Sequence, residues 1–127
     1  MKYLDAVKAA NATAWHLKHN EGVDMVVAIT HLGYDEVPPS DRTVAEASED
    51  IDIILGGHSH TLIRPGSGQE WVCNADGRDV LVAQNGKSGL WISEIEIDLD
   101  SIGKKAPDYR QISVDARLDP RTDSRID

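Results

Sequence analysis

The sequence predicts a mixed α/β fold in which a βαβ unit is followed by antiparallel strands. Three observations carry this reading. A stretch with helical periodicity precedes a short apolar run, a second apolar run follows after a loop and a short helix, and a strict alternation sets in at Trp91.

From Tyr3 to about Asn20, the residues Leu4, Val7, Ala10, Ala14 and Leu17 recur at helical spacing and mark one apolar face, which Asn20-Glu21-Gly22 ends. Met25-Val26-Val27-Ala28-Ile29 is a continuous β-rich run, the pattern of a strand covered on both faces, and it reads as a buried central strand. The stretch from His31 to Ser40 holds Gly33 and Pro38-Pro39 and is a loop. A second helix is expected over roughly Asp41 to Glu49, with Thr43 and Glu46 at capping-box spacing. The next apolar run, Ile51-Asp52-Ile53-Ile54-Leu55, stops at Gly56-Gly57. Strand, loop, helix, strand is a βαβ unit, so the two strands should be parallel neighbours.

After Thr61, turn signals at Pro65-Gly66-Ser67-Gly68 and Asp76-Gly77 flank a short run at Trp71 to Cys73; Val80-Leu81-Val82-Ala83 then ends at Asn85-Gly86. From Trp91, the residues Ser93, Ile95, Ile97 and Leu99 share one side and Glu94, Glu96 and Asp98 the other, as in a half-exposed antiparallel strand. Lys104-Lys105-Ala106-Pro107 is a turn and Tyr109 to Val114 a last strand.

With 127 residues, 40% hydrophobic and 28% charged, the chain has the size and composition of one folded domain. The net charge of −9 repels nucleic-acid phosphates and disfavours a nucleic-acid polymer as partner. A phosphate-handling protein with this balance needs metal ions to reverse the local field. No stretch is apolar for long enough to span a membrane, and the first residues lack the apolar core of a signal peptide. The one cysteine, Cys73, reads as a small half-buried strand residue.

The candidate site lies beyond the two βαβ strands, where loops of an open α/β sheet converge. Thr30-His31-Leu32-Gly33 follows the first strand and Gly56-Gly57-His58-Ser59-His60-Thr61 the second. Adjacent strands, about 4.8 Å apart, would send both loops out side by side. Neutral imidazole ligates zinc, manganese and iron, and paired glycines allow a tight turn without a Cβ clash. His31 alone would read as an ordinary loop residue; His31, His58 and His60 together point to a metal or phosphate role. His16 and His19, three apart on the first helix, read as a solvated face.

These two motifs, with Val82-Ala83-Gln84-Asn85-Gly86-Lys87-Ser88-Gly89-Leu90 after them, resemble the calcineurin-like metallophosphoesterases. The match is to the branch of 5'-nucleotidases, 2',3'-cyclic phosphodiesterases and UDP-sugar hydrolases. The resemblance implies an αββα four-layer sandwich, of which this chain holds part. It implies two divalent metal ions (zinc, manganese or iron), with His31 and His58 on one metal and His60 on the other, and a nucleotide or other phosphate ester as substrate. For the intact family it implies a periplasmic or extracellular location.

The family completes its site with Asp-x-His, Gly-Asp and Gly-Asn-His motifs, and this sequence contains none of them. Residues 1–118 are therefore expected to form the carboxy-terminal half of a metallophosphoesterase domain, with residues 119–127 a linker or disordered tail. Such a chain should bind metal weakly, hydrolyse phosphate esters poorly by itself, and either self-associate or pair with a missing amino-terminal half. The residues leave two other readings open: a non-catalytic metal-binding or oligomerisation module, and an α/β core whose histidines only make hydrogen bonds. Trp15, Trp71 and Trp91 read as packing residues rather than a base-stacking clamp.

Overall fold

The computed structural model describes residues 5–115. Helix α1 (Ala6–His19) begins where the Asp5 carboxylate accepts from the Lys8 backbone N–H. It lays Ala14, flanked by Val7, Ala10 and Leu17, on the core, as the spacing predicts. Leu4 and the expected tail at 119–127 lie outside the described residues.

Strand β1 (Val27–Ile29) leads through the first histidine loop to helix α2 (Asp41–Ala47), which returns the chain to β2 (Ile53–Leu55). The capping box of α2 is shifted by three residues from the expected pair. Ser40 is the cap, and its hydroxyl accepts from the Thr43 N–H at 3.3 Å while its own N–H donates to Thr43 Oγ1 at 2.8 Å. Glu46 is not part of the cap, because its carboxylate takes the Arg42 guanidinium one turn away.

β3 (Trp71–Cys73) and β4 (Asp79–Ala83) complete a four-stranded sheet in the order β1-β2-β4-β3. β1 pairs with β2 and β2 with β4 in parallel, and β3 joins β4 antiparallel. β5 (Trp91–Glu96) and β6 (Asp108–Ser113) form a separate antiparallel pair, and Leu99, expected to extend β5, instead lies in a 3₁₀ turn with 61% of its surface exposed. Leu55 and Ala83 share a cavity with Ser93 and Ile95, so the two-stranded sheet lies against that face of the larger one. Alternation sends Ile54, Val80 and Val82, all fully buried, to the opposite face, which is left for the helices. The architecture is thus a partial αββα sandwich of one helical layer and two sheets.

β1 departs from the expectation of a buried central strand. It is the edge of its sheet, with Val27 40% and Ile29 85% exposed, because among the described residues nothing pairs with its outer side or covers that face. Cys73, expected half-buried, is exposed on the opposite edge strand. Trp15 is also largely exposed, stacked on His19 with ring centroids 5.0 Å apart.

One buried carboxylate joins these elements. Asp41, the first residue of α2, is wholly inaccessible; its Oδ1 accepts from the Thr30 hydroxyl at 2.5 Å, and its Oδ2 has no hydrogen-bond partner among the described residues. Burial raises its pKa above the ordinary 3.8, opposed in part by the Thr30 hydrogen bond. A raised folded-state pKa means that the fold prefers the protonated acid. The stability it contributes is full below pH 3.8 and is lost as pH rises through the raised value. Asp41→Asn keeps the acceptor without the charge. Its stability relative to the native chain, measured by urea unfolding from pH 3 to 8, should therefore increase with pH; a constant difference would contradict this.

Candidate metal centre

The site follows from the register of two parallel strands. Ile29 lies opposite Leu55, so the residues after each strand leave the sheet together. The pairing runs one step further, Thr30 N–H donating to Leu55 O and Gly56 N–H to Ala83 O, both at 2.9 Å. Two bonds then tie loop to loop: Gly33 N–H donates to Gly57 O at 3.0 Å and Tyr34 N–H to Ser59 Oγ at 3.1 Å. The consequence is that the His31 and His58 rings meet edge to face, centroids 5.1 Å apart and planes at 70°.

The glycines act differently from the expectation that they make the turn. Neither Gly56 nor Gly57 is left-handed; His58 and His60 are, with φ of 80° and 57°. Each such residue costs about 1–2 kcal/mol relative to the right-handed region, so the loop must be held by its surroundings. The glycines serve close approach instead. A Cβ on Gly57 would lie 3.2 Å from His31 Nδ1, and one on Gly56 would overlap Asp41 Oδ2.

What holds the loop from below is Gln84, at the end of β4 and 3% exposed. Its Oε1 accepts from Thr61 N–H at 2.8 Å and from the Ser59 hydroxyl at 3.2 Å. The sequence places Gln84 within a motif but assigns it no role, because a glutamine after a strand carries no mark of burial. Asp41 likewise reads there only as the start of a helix.

His31, His58 and His60 are all exposed, and the structure brings the first two together while no ring contact joins His60 to either. His16 and His19 sit apart on α1, paired with Glu21 at 3.3 Å and Asp50 at 3.4 Å. Exposed imidazoles fit a divalent metal in kind. In number they fall short: among the described residues no three His, Cys, Asp or Glu side chains gather, and protein shells usually supply three or four donors.

No protein-family model matches the chain. It is 30% identical over 112 residues to the trifunctional nucleotide phosphoesterase protein YfkN of Bacillus subtilis, a match covering 88% of this chain and 7% of that protein. It is 34% identical over 98 residues to the uncharacterized metallophosphoesterase YunD of Bacillus subtilis, covering 77% and 18%. The crystal structure of a 5'-nucleotidase precursor from Thermus thermophilus superposes with a TM-score of 0.68 at 29% identity, covering 87% of this chain and 23% of that one. The chain therefore spans less than a quarter of the length of each. These matches agree with the two histidine loops and the partial sandwich: the chain belongs to the 5'-nucleotidase family of metallophosphoesterases.

Proposed function

We propose that this chain supplies the histidine side of a metal-dependent phosphoester hydrolase centre of the 5'-nucleotidase type. Residues 1–118 would form the carboxy-terminal half of the metallophosphoesterase domain. The observation that carries the reading is the meeting of His31 and His58 at the ends of adjacent parallel strands, with His60 two residues on. In this reading His31 and His58 serve one divalent ion and His60 a second, and the substrate is a nucleotide or another phosphate ester. Two such ions would stabilise the charge that develops on a phosphoester as it is displaced. The chain's own part is to present the imidazoles in fixed orientation.

A second reading, a metal-binding or oligomerisation module without turnover, is favoured by the lack of a third converging donor among the described residues. Titrating the full chain with Zn²⁺ or Mn²⁺ and assaying p-nitrophenyl phosphate and nucleoside monophosphates tests both. Weak binding is expected, lost in His31→Ala and His58→Ala, with no chelator-sensitive turnover from this polypeptide alone. Robust chelator-sensitive hydrolysis would overturn the view that the shell is incomplete, and metal binding unchanged in both variants would overturn the ligand assignment.

The same reading accounts for β1. A run of the buried type, Val26 to Ile29, ends in an isoleucine that is 85% exposed on an edge unpaired among the described residues. Burying such a side chain contributes about 1.5–3 kcal/mol, and an open strand edge is a template for pairing. The proposed partner is an amino-terminal half carrying the remaining ligand motifs or, in its absence, a second copy of this chain. Sedimentation at micromolar concentration should show self-association that Ile29→Lys shifts toward monomer. A monodisperse native monomer would contradict it.

A further inference from the structure

Two buried side-chain polar atoms lack a partner among the described residues, Asp41 Oδ2 and Gln84 Nε2, and both belong to residues that support the histidine loops. Gln84 is the more informative. The Thr61 backbone N–H can only donate, so the atom it meets at 2.8 Å must be the side-chain carbonyl of Gln84, which fixes the orientation of the amide. The hydroxyls obey the same logic. Ser59 Oγ accepts from Tyr34 N–H at 3.1 Å, lies 2.7 Å from Thr61 Oγ1 and 3.2 Å from Gln84 Oε1. One assignment satisfies every contact: Thr61 donates to Ser59 and Ser59 donates to Gln84. Gln84 Oε1 is then the acceptor at which the network ends.

That network brackets His60, with Ser59 before it and Thr61 after it, and Ser59 directly follows His58. Both histidines are left-handed, a conformation that side-chain-bearing residues rarely adopt. The chain on either side of the Gln84 contact is fixed as well: Gly86 N–H donates to Thr61 O at 2.9 Å and Ile63 N–H to Gln84 O at 3.0 Å. Among the described residues the amide nitrogen has no partner, so the carbonyl is the working half of this side chain. A neutral acceptor is what a 3% exposed position requires, since a carboxylate there would bury a charge.

We propose that Gln84 is a positioning residue, whose side-chain carbonyl holds Ser59 and Thr61 and thereby keeps His58 and His60 in the left-handed conformation that aims their rings. The metal consequence rests on the function proposed above; the positioning itself does not. Gln84→Met keeps the length and removes the acceptor.

The test uses the full chain with ring ¹H–¹³C spectra of its histidines, hydrogen exchange of the Thr61 amide and circular dichroism to confirm folding. In metal-free Gln84→Met the His58 and His60 ring signals should move and Thr61 exchange should quicken, with His16 and His19 unmoved. The Mn²⁺ concentration that broadens His58 and His60 should rise about tenfold or more, the usual effect of losing a group that orients a ligand. If folded Gln84→Met leaves the two ring signals and Thr61 exchange as in the native chain, the proposal is overturned. If Gln84→Met does not fold, Ser59→Ala removes the hydroxyl link alone and should move the same two rings by less; unmoved rings in that variant overturn the proposal too. Native rings that Mn²⁺ leaves sharp would contradict the metal reading, and the metal-free spectra then decide on Gln84 by the same criterion.

Discussion

The parallel register of β1 on β2 is the constraint on which the rest depends. With Val27 opposite Ile53 and Ile29 opposite Leu55, Thr30-His31 and Gly56-Gly57-His58 emerge at the same height of the sheet. Each residue of offset would move one loop about 3.3 Å along the strand and turn its side chains to the other face. The bond that extends the pairing, Thr30 to Leu55, and the two that tie loop to loop, Gly33 to Gly57 and Tyr34 to Ser59, belong to this register. Strand pairing, rather than any attraction between the imidazoles, therefore brings His31 and His58 together.

The site is costly to the fold that carries it. Two histidines are left-handed, a carboxylate is fully buried with one oxygen unpartnered among the described residues, and a buried amide leaves its nitrogen without a bond there. An unsatisfied buried polar group costs about 1–3 kcal/mol. Apart from Ser88, which is also left-handed, these departures gather around one loop, while Ile53, Ile54, Leu81 and Val82 in the core pack without polar side-chain atoms. The strained loop persists because its surroundings hold it. Its support comes from α2 through Asp41 and from β4 through Gln84, so elements on both sides of β2 contribute.

Local pattern made most of the fold legible. Helical spacing placed α1, apolar runs placed β1, β2 and β4, and alternation placed β5, because each of these follows from which faces are covered. The histidines were legible because two motifs stand at strand ends. What escaped was tertiary. Val26 to Ile29 has the composition of a central strand, yet only the presence of a neighbouring strand makes it one. The roles of Asp41 and Gln84 depend on segments 15 and 23 residues away, Gly56 and Thr61, and no window of sequence contains both partners. The glycines suggest turning freedom when their use is the lack of a Cβ against Asp41 and His31. The capping box was displaced from its expected place because Ser40 lies just outside the helical pattern and Glu46 has a better partner in Arg42.

The chain's own fold, through the β1–β2 register and the bonds between the two loops, sets His31 and His58 side by side. Nuclear Overhauser contacts between their ring protons in the metal-free chain test it directly. With centroids 5.1 Å apart and one ring edge toward the other's face, cross-peaks between the His31 and His58 rings are predicted. Assigned spectra of the folded chain in which the two rings share no cross-peak would show that the loops do not meet as described.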